Sequence, residues 1–233
     1  MTRAPTFVVE FGRTGTESGP PADANGRLDA PAFHRNHEAI RAALAADLAA
    51  MQGDVLEIGS GTGQHAVMFA QQAPHLTWWP SDVNPRHRDS IDAWRRVAAL
   101  PKLRPAADID VSRPDWSWGG ASDTQTPAAT LAAIFCANVI HIAPWAVAEG
   151  LFAGAARHLR VGGRLYLYGP FMTGGAHSAP SNAAFDASLR AQNPDWGVRD
   201  IDDLTALARR NGFDRTHTHA MPANNFILVF VRR

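Results

Sequence analysis

The sequence is poor in cysteine and carries no net charge, and each shortage excludes a class of protein. Its 233 residues contain one cysteine, Cys136, which excludes an intrachain disulfide and a cysteine-rich zinc site. Lysine plus arginine equals aspartate plus glutamate, at 22 each, so no overall charge attracts the chain to nucleic acid or anionic lipid. We therefore expect neither a nucleic-acid partner nor a membrane partner.

Long apolar runs are also missing from the sequence. No stretch of about 18 apolar residues is present, and the N-terminus lacks the apolar core of a signal peptide. The composition, 45% hydrophobic and 19% charged, is ordinary for a soluble globular protein. These features predict a cytoplasmic protein, and they make no prediction of its oligomeric state.

The composition changes near residue 34. Residues 12–31 are rich in Gly and Pro, so we predict that residues 1–33 form a flexible arm or lid. Beyond them Ile40, Leu44 and Leu48 recur at every fourth position, which indicates an amphipathic helix. Residues 34–233 are predicted to form one domain, with a cap segment at about 170–200.

Strand-like and helix-like segments alternate after this first helix. Predicted strands cover residues 54–59, 76–82, 104–111, 130–142 and 164–170, with a further strand at 224–233. Repeated strand–helix units predict a Rossmann-like, doubly wound α/β fold with a mostly parallel sheet and helices on both faces. Such a sheet brings the C-terminal ends of its strands to one edge, where ligands bind.

The stretch "DVLEIGSGTGQHA" places three alternate glycines, Gly59, Gly61 and Gly63, after the first of these strands. A dinucleotide-binding loop needs its third glycine one position later, and a phosphate-binding loop needs a lysine that is missing here. The loop is therefore either a plain turn or a place where backbone closely approaches a ligand without phosphate.

Polar residues at the strand ends favour an adenosyl ligand that carries an amine. Glu57 can receive a cationic amine, Asp82 can accept both ribose hydroxyls, and Asp110 can accept from an adenine amino group. S-adenosylmethionine fits this set better than NAD, although Asp82 or Asp110 alone could serve as a cap or turn residue. The predicted cofactor-binding residues are Glu57, Gly59, Ser60, Gly61, Thr62, Gly63, His65, Asp82, Asp110, Val111, Asn138 and His141.

Several motifs together resemble a known family. "VLEIGSGTGQHA", "SDVNP", "ANVIHIAPW" and "LRVGGRLYLYGPF" are similar to class I S-adenosylmethionine-dependent methyltransferases. More narrowly, "SGTGQHA", "SNAAFDASLR", "WGVRD" and "MPANN" resemble an uncharacterised methyltransferase-like family of bacteria and animals. The resemblance begins at about residue 34 and reaches the C-terminus. It implies a seven-stranded sheet ending in an antiparallel hairpin, and S-adenosylmethionine contacts from Glu57, Gly59, Gly61, Asp82 and Asp110.

The substrate is expected nearer the C-terminus. Asn182, Asp186 and Arg190 recur at every fourth position on one helix face, although a solvated face with an Asp186–Arg190 pair would look the same. Aromatic residues at the strand ends could wall a pocket or simply pack in the core. The predicted substrate-binding residues are Asn36, Trp145, Tyr168, Phe171, Asn182, Asp186, Arg190 and Trp196.

The predicted function is methyl transfer from S-adenosylmethionine to O or N of a small molecule by in-line displacement, with S-adenosylhomocysteine as product. His141 is the first candidate for a general base, followed by Asp186 and His177, although a structural histidine at 141 is an equal alternative. The histidines show no metal-ligand spacing, so no metal is predicted. A non-catalytic, cofactor-binding scaffold is the main alternative function, and an NAD(P)-dependent oxidoreductase ranks last.

Overall fold

The computed structural model describes residues 22–113, Trp116 and residues 130–233. Helices and strands alternate along them, and no helix in these ranges is both long enough and apolar enough to cross a bilayer. In chain order the elements are α1 Pro31–Ala50, β1 Asp54–Ile58, α2 Gln64–Gln72, β2 Thr77–Ser81, α3 Pro85–Ala98, β3 Leu131–Ala137, α4 Trp145–His158, β4 Leu159–Thr173, β5 Ala176–His177, α5 Pro180–Gln192, β6 Arg199–Asp200, α6 Ile201–Arg210, β7 Phe213–Met221 and β8 Asn225–Arg232.

The chain divides into two compact units, and their boundary falls within β3. The first unit contains residues up to Asp110 and residues 116–132, with strand order β2-β1-β3. Here β1 and β2 run parallel, from the pair Asp54–Thr77 to the pair Ile58–Ser81. This register brings the C-terminal ends of both strands to the same edge.

The second unit contains residues 111–115 and 133–233, with strand order β3-β4-β8-β7. Strand β8 is antiparallel to both β4 and β7. The short strands β5 and β6 pair with the C-terminal end of β4. A 3-10 turn at Pro222–Asn224 joins β7 to β8 and closes a hairpin.

The predicted fold class is confirmed: the protein is a mixed α/β structure whose C-terminal strands are antiparallel. The structure has eight strands in its described residues instead of seven, because the two-residue strands β5 and β6 were not expected and the predicted strand at 104–111 does not form.

The predicted strand at 104–111 was wrong, since that segment forms isolated bridges instead of a regular strand. Ala107 bridges Ser81, and Leu103, just before the segment, bridges Trp78. A proline contributes to the interruption. Pro80 in β2 has no backbone N–H, so one hydrogen bond of a regular pairing between the two segments cannot form. Ala107 still donates to the carbonyl of Pro80 at 2.9 Å. The segment therefore stays beside β2 without forming a regular strand.

Strand β3 is shorter than predicted and ends at Ala137. Asn138 adopts a left-handed conformation, with φ 58°, which an asparagine tolerates and which interrupts a strand. Its N–H donates to the carbonyl of Tyr168 in β4 at 2.9 Å. Residues 138–142 consequently form a turn, and His141 lies on that turn and not on a strand.

Helix α1 begins at Pro31, a residue type favoured in the first helical turn, and buries Ile40, Leu44 and Leu48 as their spacing predicts. Residues 22–30, part of the predicted arm, hydrogen-bond to α2 and α3. Residues 1–21 lie outside the described residues. The predicted division at residues 33 and 34 stays a prediction.

Candidate functional site

The glycine loop, residues 59–63, connects β1 to α2 through three left-handed glycines. Gly59, Gly61 and Gly63 have φ values of 65°, 56° and 95°. Side chains disfavour this region, so the loop's conformation requires glycine. At Gly63 a Cβ would also lie 2.8 Å from the Cα of Ile91 in α3. The spacing of these glycines thus encodes one particular backbone path.

Hydrogen bonds to the end of β2 hold this loop in place. Ser60 N–H donates to the carbonyl of Ser81 at 2.8 Å, and Ser81 N–H donates to Ser60 Oγ at 3.1 Å. The Ser81 hydroxyl donates to the carbonyl of Glu57 at 2.7 Å. The loop and the end of β2 therefore each donate hydrogen bonds to the other.

Asp82, the predicted ribose-binding residue, is buried beside the loop. Its Oδ2 accepts from Gly61 N–H at 2.9 Å, and its Oδ1 accepts from Asn84 N–H at 2.9 Å. The ring Nδ1 of His87 lies 3.3 Å from Oδ1. Each carboxylate oxygen has two acceptor sites, so these bonds leave capacity for further donors. Asp82 fits both the predicted ribose role and a role in holding the loop.

Glu57, the predicted partner of the cofactor amine, is 2% exposed at the end of β1. Its Oε2 accepts from the indole N–H of Trp78 at 2.7 Å, and the Trp78 ring stacks on Phe69. Burial raises the pKa of Glu57 to about 8; the Trp78 bond opposes this rise, and repulsion from Asp82 adds to it. Glu57 is therefore protonated at neutral pH, and a nearby cation would favour its ionisation.

Asp110 and Val111, also predicted to bind the cofactor, follow the bridge at Ala107. Asp110 is partly buried at the end of the first unit, and Val111 is 5% exposed at the start of the second. The Val111 carbonyl packs against Gly150 of α4, where a Cβ would lie 1.8 Å from its oxygen. Val111 thus has a packing role within the second unit.

His65 and Asn36, predicted for different sites, form one contact in the first unit. The ring Nε2 of His65 lies 3.0 Å from Asn36 Oδ1, and the edge of His65 packs on Phe33. Burial lowers the pKa of His65 to about 4, and the nearby His37 adds to the effect. The pair connects α1 to the first turn of α2.

His141 is the most deeply buried of the predicted catalytic residues, at 4% exposure in the second unit. Its Nδ1 is buried and has no hydrogen-bond partner among the described residues. A Cβ at Gly169 would lie 3.2 Å from this nitrogen, and the ring edge contacts Phe185 at a centroid distance of 5.6 Å. Burial lowers the pKa of His141 to about 4, and the charge of Arg199 adds to this shift. His141 is therefore neutral at neutral pH.

Asp186, the second catalytic candidate, bonds to its own chain through both carboxylate oxygens. Oδ1 accepts from Val198 N–H at 2.7 Å, and Oδ2 accepts from Arg190 Nε at 3.0 Å. His177 Nε2 lies 3.5 Å from Oδ2. Asp186 thus holds residues 197–198 against α5.

Asn182 has a comparable structural contact at the start of α5. Its Nδ2 donates to Ser178 Oγ and to the carbonyl of Asn224, both at 3.0 Å. Asn224 belongs to the turn between β7 and β8, where it and Ala223 have positive φ. The "SN" and "MPANN" motifs therefore meet in space, as two ends of one contact.

The four aromatic candidates have different surroundings within the second unit. Phe171 and Tyr168 on β4 are buried, at 1% and 6% exposure, which is the core packing considered for such residues. Trp145 lies under the guanidinium of Arg199, 5.8 Å from the ring centroid. Trp196 is partly exposed, and its indole Nε1 has no partner in the described part of the chain.

Four residues with clear roles in these contacts were missed by sequence reasoning: Ser81, Ser90, Gly169 and Arg199. Ser81 and Ser90 are fully buried polar residues, and Gly169 gives His141 room beside β4. Arg199 donates to the carbonyls of Ile140, Ala143 and Asp195 and so holds the turn that carries His141. Gly169 and Arg199 lie within the "GPF" and "WGVRD" motifs, so their place in these motifs could have indicated that they matter.

A profile of the family described as "Protein of unknown function (DUF938)" matches residues 27–232. The match covers nearly all of the described residues and includes the glycine loop, His141 and α5.

Solved structures of methyltransferases share the fold. The O-methyltransferase NcsB1 from neocarzinostatin biosynthesis, in complex with S-adenosylmethionine and 2-hydroxy-5-methyl naphthoic acid, is 16% identical with a TM-score of 0.66, covering 87% of this chain and 55% of that one. Human N-acetylserotonin methyltransferase with S-adenosylmethionine is 12% identical with a TM-score of 0.65, covering 86% and 52%. Magnesium protoporphyrin IX methyltransferase from Synechocystis PCC 6803 with S-adenosylhomocysteine is 17% identical with a TM-score of 0.61, covering 84% and 81%.

The chain spans about half the length of NcsB1 and of the human enzyme. At these identities the likeness establishes the fold. All three of these neighbours hold S-adenosylmethionine or its demethylated product, which supports the predicted cofactor.

Proposed function

We propose that this chain, which belongs to the DUF938 family of proteins of unknown function, is an S-adenosylmethionine-dependent methyltransferase acting on O or N of a small molecule. The observation that carries the proposal is the glycine loop. Its three left-handed glycines place backbone without side chains at positions 59, 61 and 63, and the Gly61–Asp82 hydrogen bond joins the loop to the residue that follows β2. Ligands bind at this edge in open α/β sheets.

The residues of the loop region fit an adenosyl cofactor and disfavour a phosphate. Asp82 is acidic and buried, so it would repel a phosphate and accept from hydroxyl donors. A bound ammonium group would favour ionisation of the buried Glu57, which a phosphate would not. We propose that Glu57 receives the cofactor amine and that Asp82 receives the ribose, with Gly59, Gly61 and Asp110 completing the contacts. When bound, S-adenosylmethionine supplies an electrophilic methyl group.

We propose that His141 orients the methyl acceptor by accepting a hydrogen bond from its O–H or N–H. The ring is neutral, and its buried Nδ1 has no partner among the described residues. The charge of Arg199 opposes protonation of His141, so the ring is better suited to orienting the acceptor than to carrying its proton away. Alignment of the reacting groups is the larger effect in such a displacement, contributing up to roughly 7–11 kcal/mol.

For the α5 residues Asp186 and Asn182 we propose a positioning role instead of direct substrate binding or catalysis. Asp186 and Asn182 bond to Val198 N–H and to the Asn224 carbonyl, so we propose that they position the acceptor region. Trp196 and Trp145 are the proposed aromatic contacts for the acceptor. Tyr168 and Phe171 are buried in the core, so we propose a packing role for them.

Calorimetric titration with S-adenosylmethionine and S-adenosylhomocysteine tests the proposal. We expect both ligands to bind the wild-type protein and Asp82→Asn to weaken binding by about 10- to 100-fold, the usual cost of losing a hydrogen bond to a charged group. Asp108→Asn is the matched control, because Asp108 is 48% exposed and forms an ion pair with Arg88 at 3.2 Å. No heat from either ligand with folded wild-type protein would refute the proposal.

Turnover separates a catalyst from a scaffold that only binds the cofactor. A panel of small hydroxyl and amine compounds, assayed by release of S-adenosylhomocysteine, should contain an acceptor. His141→Gln, which keeps a hydrogen-bond acceptor, should lose less activity than His141→Ala. Cofactor binding without turnover, unaffected by either change, would favour the scaffold.

A further inference from the structure

We propose that the N-terminal strap, residues 28–30, is coupled to the glycine loop by two positioning residues, Gln64 and Ser90. Ordering of the strap and binding of the adenosyl cofactor would then favour each other. The inference rests on the proposed function, because the coupled ligand is the cofactor. It assigns a role to a segment that precedes the whole sheet.

Thr62 is the point at which the loop is held. Its hydroxyl donates to Gln64 Oε1 at 2.8 Å, and its carbonyl accepts from the hydroxyl of Ser90 at 2.8 Å. Gln64 lies in the first turn of α2, and Ser90 lies on α3. The side chain and the backbone of Thr62 are therefore held by two different helices.

The same two side chains bind the strap. Gln64 Oε1 also accepts from Ala30 N–H at 2.7 Å, and Ser90 Oγ accepts from Leu28 N–H at 2.8 Å. The amide of Gln64 donates to Asp29 Oδ1 at 2.7 Å. Each side chain thus bonds the loop and the strap at once, so a displacement of one changes the partners of the other.

Burial makes these bonds costly to break. Thr62, Gln64 and Ser90 are between 0% and 5% exposed, and Leu28 and Ala30 are each 4% exposed. If the strap left, Gln64 and Ser90 would lose the hydrogen bonds that they make to Leu28, Asp29 and Ala30, and loss of bonds to buried polar groups carries an energetic penalty. A ligand that holds the loop in its present conformation therefore also favours the attached strap, and the coupling is reciprocal.

Trp94 provides a matched control, because it holds the strap without touching the loop. Its indole N–H donates to the carbonyl of Leu28 at 3.0 Å, and Arg27 packs over its ring at 4.5 Å. Trp94→Phe loosens the strap but leaves Thr62, Gln64 and Ser90 in contact. Ser90→Ala and Gln64→Met remove the connection itself.

Hydrogen exchange of the full chain, with and without S-adenosylhomocysteine, tests the coupling. In the wild type we expect the ligand to slow exchange at the amides of Leu28 and Ala30. Ser90→Ala and Gln64→Met should abolish that slowing. They should also weaken binding of the ligand by about 5- to 150-fold, the usual range for coupled sites. Trp94→Phe should keep the ligand-dependent slowing and change affinity by less than about twofold.

Two results would overturn the inference. One is a wild type that binds the ligand while exchange at residues 28–30 stays the same. The other is a Trp94→Phe protein that loses the ligand-dependent slowing as fully as Ser90→Ala does. Absence of binding to the wild type would instead refute the proposed function itself. If Ser90→Ala fails to fold, as its thermal unfolding would reveal, Gln64→Met and the wild-type exchange decide the question.

Discussion

The glycine loop of the first unit and the α5 cluster of the second, Asn182, Asp186 and Arg190 with Val198, both contain a buried aspartate bonded to backbone amides. Asp82 bonds the Gly61 amide of a loop whose shape comes from glycine conformations. Asp186 bonds Val198 and Arg190 and holds α5 to the segment before β6. In the loop the aspartate holds a backbone conformation that glycines allow, whereas in the α5 cluster it joins a helix to a distant segment. The same residue type thus fixes a local loop in one region and a long-range contact in the other.

The two units also differ in how each keeps one ionisable side chain neutral. Glu57 in the first is protonated and hydrogen-bonded to Trp78, while His141 in the second is deprotonated with its Nδ1 unpartnered. An unpartnered buried nitrogen carries a free-energy cost that a ligand would relieve. His141, more than Asp186, is therefore the residue of the second unit to test for a role in catalysis.

The largest expected effect comes from adding a methyl group to the loop at Gly63. Its Cβ would lie 2.8 Å from the backbone of Ile91, at a φ of +95°. We expect Gly63→Ala to lower the free energy of unfolding by about 2–5 kcal/mol, measured by urea denaturation, from strain and overpacking combined. Gly162→Ala is the control, since it has φ +75° and no atom within 4 Å, and should lose only about 1–2 kcal/mol.

The equivalent change in the second unit sharpens the contrast. At Gly197 a Cβ would meet the Arg190 guanidinium at 2.6 Å and Asp186 Oδ1 at 2.8 Å, and both atoms belong to side chains. Arg190 is exposed and can move, so Gly197→Ala should destabilise less than Gly63→Ala. Equal losses at Gly63, Gly162 and Gly197 would show that neighbouring atoms do not set the loop's conformation.

An intermediate effect is expected on the pH dependence of stability, with opposite signs for Glu57 in the first unit and His141 in the second. The folded protein keeps a proton on Glu57 that the unfolded chain loses, because the pKa rises from 4.5 to about 8; its contribution to stability falls as pH rises through that window. His141 behaves oppositely, since its pKa falls from 6.5 to about 4, and its contribution falls as pH drops through that window. Each slope reaches up to about 1.4 kcal/mol per pH unit.

Glu57→Gln and His141→Gln separate these two contributions. Urea denaturation between pH 4 and 8 should show that the free energy of unfolding of Glu57→Gln rises relative to that of the wild type as the pH approaches 8. The free energy of unfolding of His141→Gln should rise relative to that of the wild type as the pH approaches 4. His65 also titrates between its usual pKa of 6.5 and a pKa of about 4 in the folded protein, so it contributes equally to the wild type and to both variants. Parallel pH profiles for wild type and variants would contradict the assigned protonation states.

The smallest effect is expected at Arg190, the exposed partner in the α5 cluster. Its side chain is 48% exposed and pairs with Asp186 one helical turn away. Surface ion pairs of this kind contribute between about 0 and 1 kcal/mol, so Arg190→Ala should change thermal stability little. A loss of activity with unchanged stability would support the predicted substrate role of Arg190. A large loss of stability would show that the pair is a structural element.

Sequence reasoning identified most helices and strands because their apolar periodicity was unambiguous, as with Ile40, Leu44 and Leu48 in α1. It failed at the segment 104–111, where apolar residues predicted a strand but Pro80 of β2 lacks an amide that a regular pairing needs. It also extended β3 too far, because an apolar run does not reveal that Asn138 turns left-handed. In both places the decisive property was backbone geometry and not hydrophobicity.

The residues of the loop could be predicted because their roles depend on local spacing along the chain. Three alternate glycines after a strand, and an acidic residue at each strand end, can be read directly. The roles of Asp186, Asn182, Gln64 and Ser90 could not be read, since they depend on which distant amide or carbonyl is nearby. Ser90 bonds Leu28 and Thr62, which are 62 and 28 residues away in sequence.

The sequence by itself therefore determined the α/β fold class, the glycine loop and the chemical character of its ligand, because periodicity, glycine spacing and charge are local properties. Tertiary structure alone decided which polar groups remain available. In the folded chain Asp186 accepts a hydrogen bond from Val198, and Gln64 accepts hydrogen bonds from both Ala30 of the strap and Thr62 of the loop. His141 Nδ1 has no partner in the described part of the chain. The reason is that hydrogen-bond satisfaction depends on partners far apart in sequence, which only the folded chain brings together.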